Sequence, residues 1–394
     1  MNVSWKDLCM SRLSQGAVVL LGAALCTAAC RGAEDKKPAG DEAADVLVLS
    51  NGDTLHGKLV KEAGGKVTFH TEPLGDVDVS WDHIKELHAT GTFGVVAKNV
   101  KLERKEAAAQ IPTGSIAVTN GAITVQGEHA PATPIPVKDV PYVVDGATLH
   151  KEIDHHPGFF AAWNGAATAG ATVVKATQNQ YTVSGGLGLV RVVPTVSWLN
   201  PRNRMQVDFS GSYGKITEPG TTPVKSAIYH VDGERDEYFA PRLFALVQTA
   251  FDHNFSQDLQ LQQIYGGGLG VTLFTTPRQE ADVKGTLQYE RQKFISTPDR
   301  TEDLIGSTIA VSYILHQKAF TWTQTLSYIP SYNTPRAYSA NETDTLAIPA
   351  YKNLAFSVGT IDTYLNNPPE STPPTKRNSF QFTMGLTYAI KSKY

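Results

Sequence analysis

Residues 379–390 read Ser-Phe-Gln-Phe-Thr-Met-Gly-Leu-Thr-Tyr-Ala-Ile. This alternation sets Phe380, Phe382, Met384, Leu386, Tyr388 and Ile390 on one side and Ser379, Gln381, Thr383, Gly385 and Thr387 on the other. Period two is the strand period, so one face of the segment is apolar and the other polar. A single copy would suit a half-buried strand in a soluble sandwich equally well. The pattern recurs, however, in about twelve segments: 159–175, 180–193, 203–214, 225–235, 241–253, 259–275, 280–294, 304–316, 319–329, 343–349, 353–365 and 379–390. In 203–213, Met205, Val207 and Phe209 oppose Arg204, Gln206, Asp208 and Ser210; in 281–291, Val283, Leu287 and Tyr289 oppose Asp282, Lys284, Thr286, Gln288 and Glu290.

The connections separate a soluble sheet from a membrane barrel. Links from odd to even segments are mostly long and polar, as in Lys215 to Val224, Ile295 to Asp303, Ser331 to Glu342 and Asn366 to Asn378. Links from even to odd segments are mostly short: Asn200-Pro201-Arg202, Ala240-Pro241, Gln317-Lys318 and Ala350-Tyr351-Lys352; the modest link near His253-Asn254 and the one from Thr276 are the exceptions. Strands of near-membrane length with long loops on one side and tight turns on the other describe a transmembrane antiparallel β-barrel of about 12 strands, here over 157–394. An even strand number places both barrel ends on the periplasmic side.

Ahead of the barrel, 46–150 is punctuated by Asn51-Gly52, Gly64-Gly65 and Gly75 between short alternating strands. These tight-turn signals predict a small SH3-like β domain in the periplasm, as one unit or as two, 46–90 and 91–150. Residues 1–29 read as a secretory signal peptide, with Lys6 and Arg12 before an apolar stretch from Ala17 to Cys26, and a polar linker follows over 30–45. All three cysteines, Cys9, Cys26 and Cys30, lie at or before the cleavage region, so a disulfide framework or a cysteine-based site within the fold is excluded. Ala28-Ala29-Cys30 resembles the end of a lipobox, which makes Cys30 a lipidation candidate beside the alternative of ordinary cleavage.

A net charge of −3 argues against a nucleic-acid partner. Gly266-Gly267-Gly268-Leu269-Gly270 lacks the Lys-Ser/Thr of a phosphate cradle and reads as a crowded or strongly curved strand. Neither a metal site nor a cofactor is expected. Arg204, Gln206, Asp208, Asp258, Gln260, Gln262, Asp282, Lys284, Gln288 and Glu290 are expected to share the barrel lumen, where opposite charges can pair across strands. Asp252-His253, near a rim, is the pairing that a hydrolase acting on lipid or peptide would use.

Tyr238-Phe239-Ala240-Pro241-Arg242-Leu243-Phe244, the run 258–274 and segment 159–170 resemble the salt-induced outer membrane protein family of YdiY type, whose function is unknown. The front end, with Leu49-Ser50-Asn51-Gly52-Asp53-Thr54-Leu55-His56-Gly57 and Val79-Ser80-Trp81-Asp82-His83-Ile84, resembles the small periplasmic domain placed before such barrels. The resemblance implies fold and location and supplies no site residue. It also implies an aromatic C-terminal assembly signal at Tyr394, although Lys391 and Lys393 interrupt it. The expected partners are outer-membrane lipid, the barrel-assembly machinery and a small solute or ion. The function expected is a narrow pore or an envelope-structural protein, with the rim hydrolase as the alternative.

Overall fold

The computed structural model describes residues 44–102, 108–127, 133–155, 157–175, 179–217, 223–276, 278–297, 300–368 and 377–392. The segment expected as a signal peptide, Cys30, most of the expected linker, Lys393 and Tyr394 lie outside the described residues.

Nine short strands build the N-terminal part: β1 (Asp45–Leu49), β2 (Thr54–Ala63), β3 (Lys66–Thr71), β4 (Gly75–Ser80), β5 (Ile84–Val96), β6 (Thr113–Thr119), β7 (Ala122–Gln126), β8 (Ile135–Pro136) and β9 (Tyr142–Asp145). They form one sheet in the order β4-β3-β2-β1-β5-β6-β7-β8, and β9 pairs with both β2 and β5, closing β1, β2, β9 and β5 into a small barrel. The two-residue turn between β2 and β3 needs positive φ at both positions, which Gly64 (64°) and Gly65 (80°) supply. Leu47, Phe69, Leu87, Val118, Ile123 and Val143 share one core, so 46–90 and 91–150 pack as one body. The first strand begins at Asp45, within the stretch expected as linker. Its buried carboxylate accepts the Leu59 N–H at 2.8 Å and the Thr90 N–H at 2.9 Å.

Twelve further strands close the antiparallel barrel: β10 (Trp163–Lys175), β11 (Asn179–Val193), β12 (Asn203–Thr217), β13 (Val224–Ala240), β14 (Leu243–Asn254), β15 (Leu259–Thr275), β16 (Gln279–Phe294), β17 (Thr301–His316), β18 (Thr321–Ile329), β19 (Ser339–Tyr351), β20 (Leu354–Leu365) and β21 (Asn378–Ile390). Gly165 pairs with Ile390, so the first and last strands meet at the end of the barrel nearest the β domain, called the near end below. Near-end connections include 241–242, 276–278, 317–320 and 352–353; the far end carries 218–223, 295–300, 330–338 and 366–377. Three links depart from the long-and-short alternation. The far-end links 176–178 and 255–258 are short. The near-end link expected as Asn200-Pro201-Arg202 spans 194–202, because the β domain holds it.

That hold is specific. Val196, Trp198 and Leu199 pack with Val96, Leu102, Val144 and Leu149. Buried Glu152 accepts the Thr195 N–H and hydroxyl, each at 2.6 Å. Tyr142 donates to Asn200 at 3.0 Å.

The outer face is apolar. Val207, Phe209, Val231, Val247, Leu269, Leu287, Ile309, Phe356, Phe382 and Leu386 are all exposed there, a surface unsuited to water and matched to hydrocarbon. Phe159 meets Phe160 and Trp163 edge to face at the near end, where interfacial aromatics gather. A polar exception lies on β18–β20, where Gln324 donates to Glu342 and Trp322 to Asp344, each at 3.2 Å. A closed, even-stranded barrel with this exterior is a transmembrane barrel of the outer-membrane type.

Glu62 in the β domain has no exposed surface, and burial pushes its carboxyl up from 4.5 to about 7, partly offset by the Gly65 N–H at 3.0 Å. The folded chain therefore holds this proton between about pH 4.5 and 7; the stability gained is complete below that window and lost as pH rises through it. Raising the pH from 4.5 to 8 should lower local stability by on the order of 3 kcal/mol, and Glu62→Gln should remove the drop. Hydrogen exchange at Val67 and Phe69 in the full chain, corrected for the intrinsic pH effect, measures it. Equal protection of the wild type at both pH values would refute the assignment.

Candidate functional site in the barrel interior

Inward positions follow from the ladders. Asp208 stands opposite Asp232, Ser210 opposite His230, and His230 opposite Asp252, all with side chains on the face opposed to the exposed Phe209 and Val231. The same alternation turns Glu280, Asp282, Lys284, Thr286, Gln288, Glu290 and Gln292 of β16 inward.

These side chains bond across the lumen. Arg204 of β12 donates to Asp236 of β13 at 2.7 Å and reaches Asp282 and Glu280 of β16 at 2.5 and 3.2 Å. Lys284 of β16 pairs with Glu234 of β13. Gln248 of β14 donates to Thr286 at 3.2 Å. His230 lies between Asp252, 2.6 Å from Nδ1, and Asp232, 2.9 Å from Nε2. Gln262 and Gln292 both donate to Glu290 at 2.5 Å, Gln206 donates to Asp208 at 2.6 Å, and Thr308 donates to Gln288. Glu234, Asp236 and Asp282 each keep a second buried oxygen without a protein donor, so acceptors outnumber donors in this network.

Apolar packing closes the network at both ends. Near Arg204, Tyr238, Phe244 and Leu246 cluster inside the barrel, with the guanidinium 5.2 Å from the Phe244 ring centre. The glycine run serves this packing. A Cβ on Gly270 would sit 2.2 Å from the Phe244 ring, and one on Gly268 would sit 2.0 Å from the Gly285 carbonyl oxygen. At the far end Leu259, Phe294 and Leu365 pack together beneath the turn Phe255–Gln257, whose Gln257 donates to the Thr363 and Arg377 carbonyls at 3.0 and 2.9 Å. The opposite side of the lumen is lined by small groups, among them Thr182, Ser184, Ser212 and Thr383.

Arg204, Gln206, Asp208, Gln262, Asp282, Lys284, Gln288 and Glu290 thus face the interior. Two expected lumen residues do not. Gln260 sits on a bulge between Leu259 and Leu261 that turns it outward, with its carbonyl accepting from His253 at 2.7 Å. Asp258 follows the Phe255–Gln257 turn with φ 59° and binds the Ser296 N–H (3.0 Å) and hydroxyl on the far rim. Asp252 and His253 point to opposite sides of the wall, so the pairing weighed for hydrolysis does not assemble. Among the described residues no cluster fit to hold a metal ion occurs. Glu234 and Asp236 were hidden because Asp232-Gly233-Glu234-Arg235-Asp236-Glu237 is almost continuously polar and masks the alternation.

Arg204 is the one cation touching three interior carboxylates among the described residues, and its removal strands them in a low-dielectric space. Arg204→Ala should cost about 3–5 kcal/mol, read as a lower temperature for the gel-mobility shift of the folded barrel. Arg204→Lys should recover only part, because a point charge cannot reproduce the fork.

Comparison with solved structures gives likenesses at low identity. A NanC porin matches at 8% identity and TM-score 0.33, covering 57% of this chain and 98% of its own. An outer membrane channel from Pseudomonas putida F1 matches at 11% and 0.34, covering 60% and 100%. The translocator domain of autotransporter NalP from Neisseria meningitidis matches at 8% and 0.31, covering 57% and 87%. No curated protein matches the sequence. The sequence profile of DUF481, a protein family of unknown function, matches residues 167–390, more than half the chain and nearly the whole barrel, and the chain belongs to that family.

Proposed function

We propose that the chain forms a narrow, cation-favouring pore across the outer membrane, with the β domain on the periplasmic side. The observation that carries this reading is the charge imbalance of the interior: Asp208, Asp232, Glu234, Asp236, Asp252, Glu280, Asp282 and Glu290 face it against Arg204, Lys284 and His230. Buried carboxylates in excess of their partners cost stability, so a lumen that serves only as filling gains nothing from them. A narrow low-dielectric path strengthens each fixed charge acting on a passing ion. The cross-lumen bridges of Arg204 and Lys284 keep the path small, which distinguishes it from a wide diffusion pore.

Planar-bilayer recording in a salt gradient tests this. The wild type should give small, cation-selective events, and Asp208→Asn with Asp282→Asn should move the reversal potential toward anions. Folded, heat-modifiable protein that gives no events at any voltage would sink the pore reading and leave an envelope-structural barrel.

A further inference from the structure

The wall of the barrel is not equally closed all the way round. β10 pairs with β11 over its full length, from Trp163↔Arg191 to Lys175↔Asn179, and β21 pairs with β20 from Tyr388↔Leu354 to Asn378↔Tyr364. Between β10 and β21 the ladder runs only from Gly165↔Ile390 to Ala169↔Leu386. Continued in register, it would set 170–175 against 380–385; the Gly170 and Met384 backbones still touch, and beyond them no pairing is formed although both stretches are strand.

The far half of β21 is bonded to the lumen instead. Ser256 donates to the Ser379 hydroxyl at 3.1 Å, Ser212 of β12 donates to Gln381 at 2.9 Å, and Gln257 donates to the Arg377 carbonyl. A strand held from within leans away from its outer neighbour. At this seam lies a cavity of about 360 Å³, within the ordinary range of ligand pockets, about 300–1,000 Å³. Its lining joins two surfaces that a closed wall keeps apart: the inward hydroxyls of Thr182, Ser184 and Ser212, and the lipid-facing Phe380, Phe382 and Met384.

We propose that the seam between β10 and β21 is a lateral opening in the barrel wall that binds a single-chain amphiphile. The hydrogen-bonding head lies among the lumen hydroxyls and the acyl chain follows Phe380, Phe382 and Met384 into the bilayer. Unpaired strand edges in hydrocarbon leave backbone groups without partners, and a polar head group at the opening supplies them. This site is independent of the acid-rich network on the opposite side of the lumen.

The test uses the full chain in phospholipid nanodiscs with a lysophospholipid bearing a diazirine in its acyl chain. Peptides covering 378–390 should be labelled several-fold more than those carrying Phe209 or Leu287. Ala171→Cys with Met384→Cys places two thiols opposite each other in register. Oxidation should reduce labelling of 378–390 to the level of the Leu287 peptide, and reduction should restore it. Amides 170–175 and 380–385 should also exchange faster than 165–169. Uniform labelling round the exterior, labelling unchanged by the lock, or cross-links joining two copies through 378–390 would each overturn the proposal. Equal amide protection along the seam would overturn it too.

Discussion

In hydrocarbon a backbone N–H or C=O without a partner costs several kcal/mol, so a chain that crosses a bilayer by strands must close its hydrogen-bond ladder on itself. That constraint organises this molecule. It fixes the even strand count, brings β10 and β21 together at Gly165 and Ile390, and sets both ends of the barrel beside the β domain. It also makes the unzipped stretch opposite 380–385 the place where the wall is energetically exposed.

Closure alone does not decide what the inside becomes. Strands β12 to β16 send long charged side chains inward, and these meet across the lumen because Arg204 spans from β13 to β16. Glycines at 266, 268 and 270 leave room for Phe244, Gln288 and the neighbouring backbone. On the other side most inward positions are Ser, Thr and Gly, and the bond from Ser212 to Gln381 spans it at one level only. One half of the lumen is therefore filled by paired charge and apolar packing, and the other half holds space. An open tube and a solid plug are both poor descriptions of it.

The β domain is bound into the same logic at the near end. Glu152 satisfies both polar groups of Thr195, and Trp198 and Leu199 enter the domain's second apolar cluster. The 194–202 link is long because it is a docking element, and its length follows from the domain it meets.

All twelve barrel strands were legible in the sequence, because lipid on one side and a polar lumen on the other impose a two-residue period along each strand. The Gly64-Gly65 turn was legible for an equally local reason, its need for positive φ. Eight of the ten expected lumen residues needed only strand parity to be placed. Gln260 and Asp258 escaped because a bulge and a left-handed turn reset parity over a few residues, and bulges leave no period of their own. Asp236 and Glu234 escaped because charged outward neighbours at Arg235 and Glu237 erase the contrast on which the reading depends. Which carboxylate Arg204 meets, how far Gln257 reaches into the lumen, and where the ladder between β10 and β21 stops are properties of strands distant in sequence. Only closure of the barrel brings those strands together, so only the tertiary structure decides them.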